Sequence, residues 1–302
     1  MTFISLVIVL LLVQWWGSGK PLHRDEWFFK WWQLLPHAHK YAAHTPWLCA
    51  VAVALPVMLL AAAIVLISVY WSAGWLIVLN IPVLLYSLGR GDFSSALHSY
   101  TEAAHSGDSV KAASVLDDMN LDPDLRGSRN SEDWATLNRE ALRVFTYRGF
   151  ERMFAVIFWF MLAGAPGALA YRLSVLLWWH LLEVNDSRAA VMGRALTLIE
   201  WPAARLLALS WALVGHFDFC MVRLRHLWLS QQMLTPVFLV SVLLGAMGEE
   251  SEWSKGADSR RFQPAARIEP SYSLCLVESA ASMFSRALLL WVFAAALVTL
   301  LF

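Results

Sequence analysis

The sequence predicts an all-α polytopic membrane protein with about 4–6 membrane helices and a small cytoplasmic helical module. Three observations carry this. Hydrophobic residues make up 59% of the 302-residue chain and charged ones only 15%, and mean hydropathy is +0.54, too apolar for an ordinary soluble domain. Uncharged runs such as Leu48–Val69 reach the roughly 20 residues that a helix needs to cross a bilayer. Between Phe150 and Phe217, Arg172, Glu200 and Arg205 stand at or inside apolar stretches, where a charge is costly and is usually paired, turned inward and tied to function.

Residues 1–89 form an N-terminal apolar and interfacial segment followed by a membrane hairpin. Met1–Trp16 lacks a basic n-region and a small-residue cleavage site, so it reads as a retained short span or interfacial helix and not as a signal peptide. Lys20, Arg24, Lys30 and Lys40 then flank Trp27, Phe28, Phe29, Trp31 and Trp32, the composition of a segment lying at the membrane surface. Leu48–Val69 carries no charge and is bounded by Trp47, Tyr70 and Trp71, as an aromatic belt requires. Ala73–Leu88 is shorter and pairs with it through a turn at Ser72 and Gly74.

Residues 90–150 read as a soluble helical module. Asp92 and Asp108 each precede apolar residues at helical spacing and are predicted N-caps, with a turn at Ser106 and Gly107 between the two helices. Residues 121–131 form a loop by their Pro, Gly, Ser and Asn content. Ser131 then caps a third helix bearing Trp134, Leu137, Leu142 and Phe145. Arg126, Arg129, Arg139, Arg143 and Arg148 place the module on the cytoplasmic side with the basic N-terminal segment.

Residues 151–247 hold the membrane helices with intramembrane charges: Met153–Tyr171, prolonged by Leu173–Trp179, then Ala195–Val214 and Leu229–Met247. Residues 248–286 are predicted to be a polar loop, and 287–302 a C-terminal membrane helix. Zero formal net charge leaves no basic field for nucleic acid. Cys49, Cys220 and Cys275 contain no CxxC pair and read as reduced packing residues.

Soluble-enzyme motifs are thin, and the sequence predicts no catalytic residue, metal or cofactor. GSGK at Gly17–Lys20 has Gln14 where a phosphate loop begins with glycine, and Pro21 where it needs Ser or Thr. His37, His39 and His44 lack a carboxylate partner for a metal site. Ser210 and His216 have no matching acid. The membrane constellation therefore supplies the candidate ligand-binding residues: Arg172, Arg205, Tyr171, Glu200 and Glu151. On a straight helix Glu200 and Arg205 point roughly 140° apart at 3.6 residues per turn, so they are not an intrahelical ion pair. Pro202 can kink or start the helix, which would leave Glu200 at the membrane surface. Two readings stay open: an interfacial anchor with a snorkelling arginine, or Arg172 and Arg205 converging on a carboxylate or phosphate. Gly164, Gly167 and Ala168 suit close helix approach beside Arg172.

The pieces YSLGRGDFSSAL (Tyr86–Leu97), GFERMFAVIFWFMLAGAPGALAYR (Gly149–Arg172) and IEWPAARLLALSWALVGHF (Ile199–Phe217), with RALLLWVFAAALVTLLF at the C-terminus, resemble the AmpE family of bacterial inner-membrane proteins. That resemblance implies a multi-pass regulatory or signalling modulator linked to β-lactamase induction and muropeptide recycling. Its implied partners are the lipid bilayer and either an anionic muropeptide or a cytoplasmic protein. AmpE is in turn similar to the CbiB/CobD membrane enzymes of cobalamin biosynthesis, which join aminopropanol to a corrinoid carboxylate in an ATP-dependent step. GAPGALAYR and WPAARL carry that similarity, onto Gly167, Tyr171, Arg172, Pro202 and Arg205. The chain departs from the pattern at Glu151-Arg152-Met153-Phe154, where those enzymes have a Glu-Asn and Asp motif, and at Glu200, where they have paired aspartates. Fewer carboxylates for magnesium and ATP imply that the ligase chemistry is lost. The expectation is therefore a non-enzymatic regulator. The alternatives are a membrane enzyme related to cobinamide-phosphate synthase, or a transporter of anionic muropeptides.

Overall fold

A computed structural model describes residues 2–16, 25–35, 47–70, 74–88, 93–119, 133–228, 233–248 and 270–301. Among the described residues every regular element is a helix: α1 (Thr2–Trp16), α2 (Glu26–Leu34), α3 (Trp47–Tyr70), α4 (Gly74–Ser87), α5 (Phe93–Ser106), α6 (Ser109–Met119), α7 (Trp134–Gly149), a π-helical turn (Phe150–Phe154), α8 (Ala155–Glu183), α9 (Arg188–Val214), α10 (Phe217–Leu227), α11 (Thr235–Ala246) and α12 (Pro270–Leu301). The GSGK stretch, His37, His39 and His44, Asp92, Ser131, the 121–131 loop and most of the polar stretch after Gly248 lie outside the described residues.

The chain divides into two compact units: Met1–Asp92 with Arg152–Ile199 and Ala295–Phe302, and Phe93–Glu151 with Glu200–Ala294. In the first unit α4 packs against α1 and α8, and α3 against α8. Its core joins Phe28 and Trp32 of α2, Cys49 and Ala52 of α3, Leu173 and Leu177 of α8, and Met192 of α9. The aromatic segment read as lying on the membrane surface thus places Phe28 and Trp32 inside the protein, because α2 is amphipathic and its apolar face needs cover. Trp31 is tied down as well, its Nε1 donating to the Ala52 carbonyl at 3.2 Å.

Two glycines expected to let helices approach each other serve a kink instead. Gly164 adopts φ 68° and ψ −158° inside α8, just before Pro166, a conformation that L side chains rarely adopt. A Cβ on Gly167 would run into the Trp159 carbonyl and the Ala163 side chain of the same helix. The GAPG run is therefore the bend of α8 itself. At the far end, Asn185 takes φ 54°, while Asn185 N–H donates to Leu182 O at 3.1 Å and Asp186 N–H to Leu181 O at 2.9 Å. This is a Schellman stop with asparagine in the left-handed position. Asp186 then accepts from the Arg188 backbone N–H at 2.9 Å, so α9 starts at Arg188, well before the predicted Ala195. It continues through Pro202 to Val214. Proline neither starts nor ends it.

In the second unit α5, α6 and α7 pack on one another and α11 packs on α7 and α10. Asp108 caps α6, accepting from Lys111 N at 3.0 Å, after Gly107 at φ 74°. Asp133 caps α7, accepting from the Ala135 amide at 3.1 Å. The core includes Tyr100, Leu116, Phe145, Trp211 and Phe238, with Trp211 edge-on to Phe284 of α12 at 5.3 Å between centroids. Two boundaries and one added helix differ from the sequence reading. α11 covers only Thr235–Ala246, with proline in its first turn; Pro236 suits no later position, since the ring removes an N–H donor. α10 was not foreseen. α12 begins at Pro270, inside the stretch read as polar loop. The 90–150 module is also not a unit by itself, because its helices cluster with 200–294.

Two predictions follow from local geometry. A Cβ on Gly215 would meet the Ala246 carbonyl and the Met283 methyl, so Gly215→Ala should cost about 1–3 kcal/mol, read as a lowered thermal midpoint of the purified protein; an unchanged midpoint would show that the approach is not close. The hydrogen bonds from Arg188 hold the Asp186 carboxyl below its usual range. Its folded pKa is therefore depressed, and its contribution is complete above the unfolded carboxylate range of about 4 and disappears as pH falls through the folded value. Asp186→Asn should lower the midpoint at neutral pH and converge with wild type once the pH has fallen through the depressed folded-state pKa of Asp186.

Candidate functional site

Among the described residues, the buried Arg148, Arg172, Arg188 and Arg205 are each held by partners from their own unit. In the second unit, the end of α7 and the π turn carry a buried polar cluster. Arg148 Nη1 lies 2.9 Å from Glu151 Oε2, with the side chains 5% and 2% exposed. Arg148 Nε donates to the Met119 carbonyl at 2.7 Å, tying in the end of α6. One residue earlier, the Tyr147 hydroxyl donates to Glu200 Oε1 of α9 at 2.9 Å. Both carboxylates act electrostatically on that phenol. A π turn inserts an extra residue into a helix and re-aims the side chains around it, and here it falls at Phe150–Phe154, holding Glu151.

Arg205 finds carbonyls. Its Nη2 and Nε donate to Leu227 O at 3.3 Å and Trp228 O at 3.4 Å, carbonyls at the C-terminal end of α10. Its guanidinium carbon lies 4.0 Å from the Phe238 ring centroid and 4.9 Å from that of Trp201. Arginine suits this place because a flat, weakly hydrated cation can stack and donate together. Arg205 is 5% exposed, so it is buried and does not snorkel to water. Glu200, 2% exposed, is buried among protein groups and is not an exposed interfacial anchor.

In the first unit Arg172 Nη2 stands 3.7 Å from Asp25 Oδ2 at the start of α2. Tyr171, beside it, is 2% exposed. Arg172 and Arg205 thus fall in different units, each held by its own neighbours. The sequence reading missed Tyr147, Asp25 and the Arg148–Glu151 pair. Arg148 had been counted as a surface charge setting topology, whereas it is buried and paired. The available signal was its spacing of three from Glu151, a facing pair on a helix. Cys49 and Cys220 are buried and free, and Cys275 is exposed.

A divalent ion needs several oxygen ligands around one point. Among the described residues no group of three or more His, Cys, Asp or Glu side chains comes together. Glu151 is engaged by Arg148 and Glu200 by Tyr147. The described residues therefore form no all-protein cage for magnesium, whereas a magnesium ion carried on ATP phosphates needs only one or two carboxylates.

Among the described residues, four helical stretches are long and apolar enough to cross a membrane: Trp47–Tyr70, Trp134–Glu183, Arg188–Val214 and Ser273–Leu297. With the composition, they define an all-helical membrane protein associated with the lipid bilayer. Over 170 residues, 52% of this chain and 52% of the relative, the sequence is 30% identical to the cobalamin biosynthesis protein CobD of Chromobacterium violaceum. It is 36% identical over 80 residues, 26% of each chain, to the cobalamin biosynthesis protein CobD of Stutzerimonas stutzeri. The chain spans about half the length of the first of these curated relatives and about a quarter of the second. No protein-family profile and no solved structure matches it.

These relatives correct the functional expectation. Both are named for cobalamin biosynthesis, and the resemblance to AmpE gains no support from them. The non-enzymatic modulator of β-lactamase induction is overturned, and with it the conclusion that the chain is not an enzyme. That conclusion came from comparing carboxylates one motif at a time. The fold gathers Glu151 and Glu200, from separate segments, around Tyr147.

The Arg148–Glu151 pair generates a stability prediction. Arg148→Leu leaves a buried carboxylate without its guanidinium and should cost roughly 3–5 kcal/mol. Arg148→Leu with Glu151→Leu should recover part of that loss. A double variant as unstable as the sum of the two singles would show that the pair is not coupled.

Proposed function

We propose that this protein is a multi-pass enzyme of the bacterial inner membrane that forms an amide in cobalamin biosynthesis, using ATP to join an amino alcohol to a corrinoid carboxylate. The observation that carries this is the 30% identity over 170 residues to a protein named for cobalamin biosynthesis. The geometry of the buried cluster supports it. Amide formation from a carboxylate requires that one carboxylate oxygen leave as a better leaving group, which ATP supplies by phosphoryl or nucleotidyl transfer. It also requires that the incoming ammonium lose its proton. We assign that proton to Glu200, whose hydrogen bond from Tyr147 fixes one carboxylate oxygen, and we assign to Arg148 the orientation of Glu151.

The test is an assay of the detergent-purified protein with a corrinoid acid, an amino alcohol or its phosphate, ATP and magnesium, with amide product followed by mass spectrometry. Product should form only with ATP, and Glu200→Gln should slow it roughly 100-fold or more, the scale of a lost acid–base group, while thermal stability stays near wild type. Absence of product over the whole substrate panel would overturn the assignment.

A further inference from the structure

We propose that the first unit binds one acyl chain of a membrane phospholipid in the cavity between α3, α8 and the first three turns of α9. The cavity has a volume of about 440 Å³ and is lined by Cys49 and Val57 on α3, Ala170 and Ser174 on α8, and Arg188 and Ile199 on α9, among others. That volume lies in the range of small-molecule sites. Small side chains create it: Ala50, Ala54, Ala170 and Ala195 all stand on its wall.

Its chemistry selects hydrocarbon. The polar groups that reach it are committed inside the protein. Ser174 Oγ donates to the Ala170 carbonyl at 2.8 Å. Arg188 donates through Nε to Asp186 at 3.0 Å and lies over the Trp32 ring, 5.0 Å from its centroid. The Arg188–Asp186 pair brings no net charge to the rim, so the site does not sort head groups by charge. Water gains nothing from such walls, and apolar cavities stay dry. Left empty, the walls lose dispersion contacts that an apolar occupant restores.

The dimensions and the surroundings point to a lipid. Arg188 and Ile199 mark its two ends along α9, about 16 Å apart at 1.5 Å per residue, about half of the 30 Å hydrocarbon core and so one leaflet. The polar end lies at Arg188, beside the Asp186 turn, and the apolar end at Ile199. The cavity is continuous with a surface made for lipid: α3 is only 11% buried over its most apolar window and exposes Leu55, Met58, Leu59, Val65 and Leu66. A phospholipid with its head at Arg188 can thus lay a chain into the cavity from the bilayer.

The experiment is intact-complex mass spectrometry of the full-length protein, purified from membranes and washed in detergent with phosphatidylethanolamine and phosphatidylglycerol supplied as probes. Wild type should retain one phospholipid after annular lipid is stripped, and Ala195→Phe and Ala54→Leu, which fill the cavity, should cut its occupancy at least tenfold. An independent reading uses a native thiol, in a Cys275→Ser background where Cys220 stays buried. Alkylation of Cys49 by N-ethylmaleimide should slow at least tenfold when phospholipid is returned to the delipidated protein. Retention unchanged in the filled variants, no retained lipid in wild type, or Cys49 protection that tracks dimer formation instead of lipid would each overturn the proposal.

Discussion

Hydrocarbon cannot solvate a charge, and the interior of this protein is arranged around that constraint. Moving an ion from water to a low-dielectric interior carries a penalty of several kcal/mol even after relaxation. Among the described residues, four buried arginines of the apolar helices each have a partner close in space. Arg148 takes Glu151 and a carbonyl, Arg172 takes Asp25, Arg188 takes Asp186, and Arg205 takes the end of α10 with two aromatic faces. These pairings fix how elements meet within each unit: α2 to α8 through Asp25, α6 to α7 through Met119, α7 to α9 through Tyr147 and Glu200.

Irregular backbone appears where those partners must be brought into register. The π turn at Phe150–Phe154 breaks the 3.6-residue repeat beside Glu151. Gly164 and Pro166 bend α8, and Asn185 stops it so that Asp186 faces the start of α9. An uninterrupted α-helix through these points would place its polar groups on faces set by periodicity alone. The departures are local and each has a residue that permits it: an extra turn residue, a glycine able to adopt positive φ, an asparagine tolerant of the left-handed region.

The helical, membrane-borne class was legible because it depends on sums over many residues, and α3 was legible almost to its ends because nothing interrupts its apolar run. The Asp108 cap was readable from a local pattern. The polar cluster was not, because its members are distant in sequence: Tyr147 and Glu200 meet only once α7 and α9 pack, and Asp25 reaches Arg172 across most of the first unit. Single-motif comparison counted Glu151 and Glu200 as remnants. Likewise, the carbonyls that hold Arg205 come from α10, a helix too polar and short to stand out in the sequence. The polar start of α12 was misread since its first turns carry few large apolar residues, and tertiary packing, including the hydrogen bond from Asn138 to Ser273 at 2.9 Å, supports them.

The proposed reaction rests on the polar cluster of the second unit. Arg172 and Arg205 are each held by neighbours of their own unit. Glu200 and Glu151 stand where the two carboxylate-bearing segments meet, in a chain whose relatives are named for cobalamin biosynthesis. Ligand-dependent thermal stability of the purified protein, compared across corrinoids, ATP with magnesium and anhydro-muropeptides, tests this most directly, because a ligand of the native state raises the midpoint by mass action. A corrinoid and ATP should each raise it in wild type, with a smaller rise in Glu200→Gln. Stabilisation by a muropeptide alone, with none by corrinoid or ATP, would contradict the enzymatic assignment.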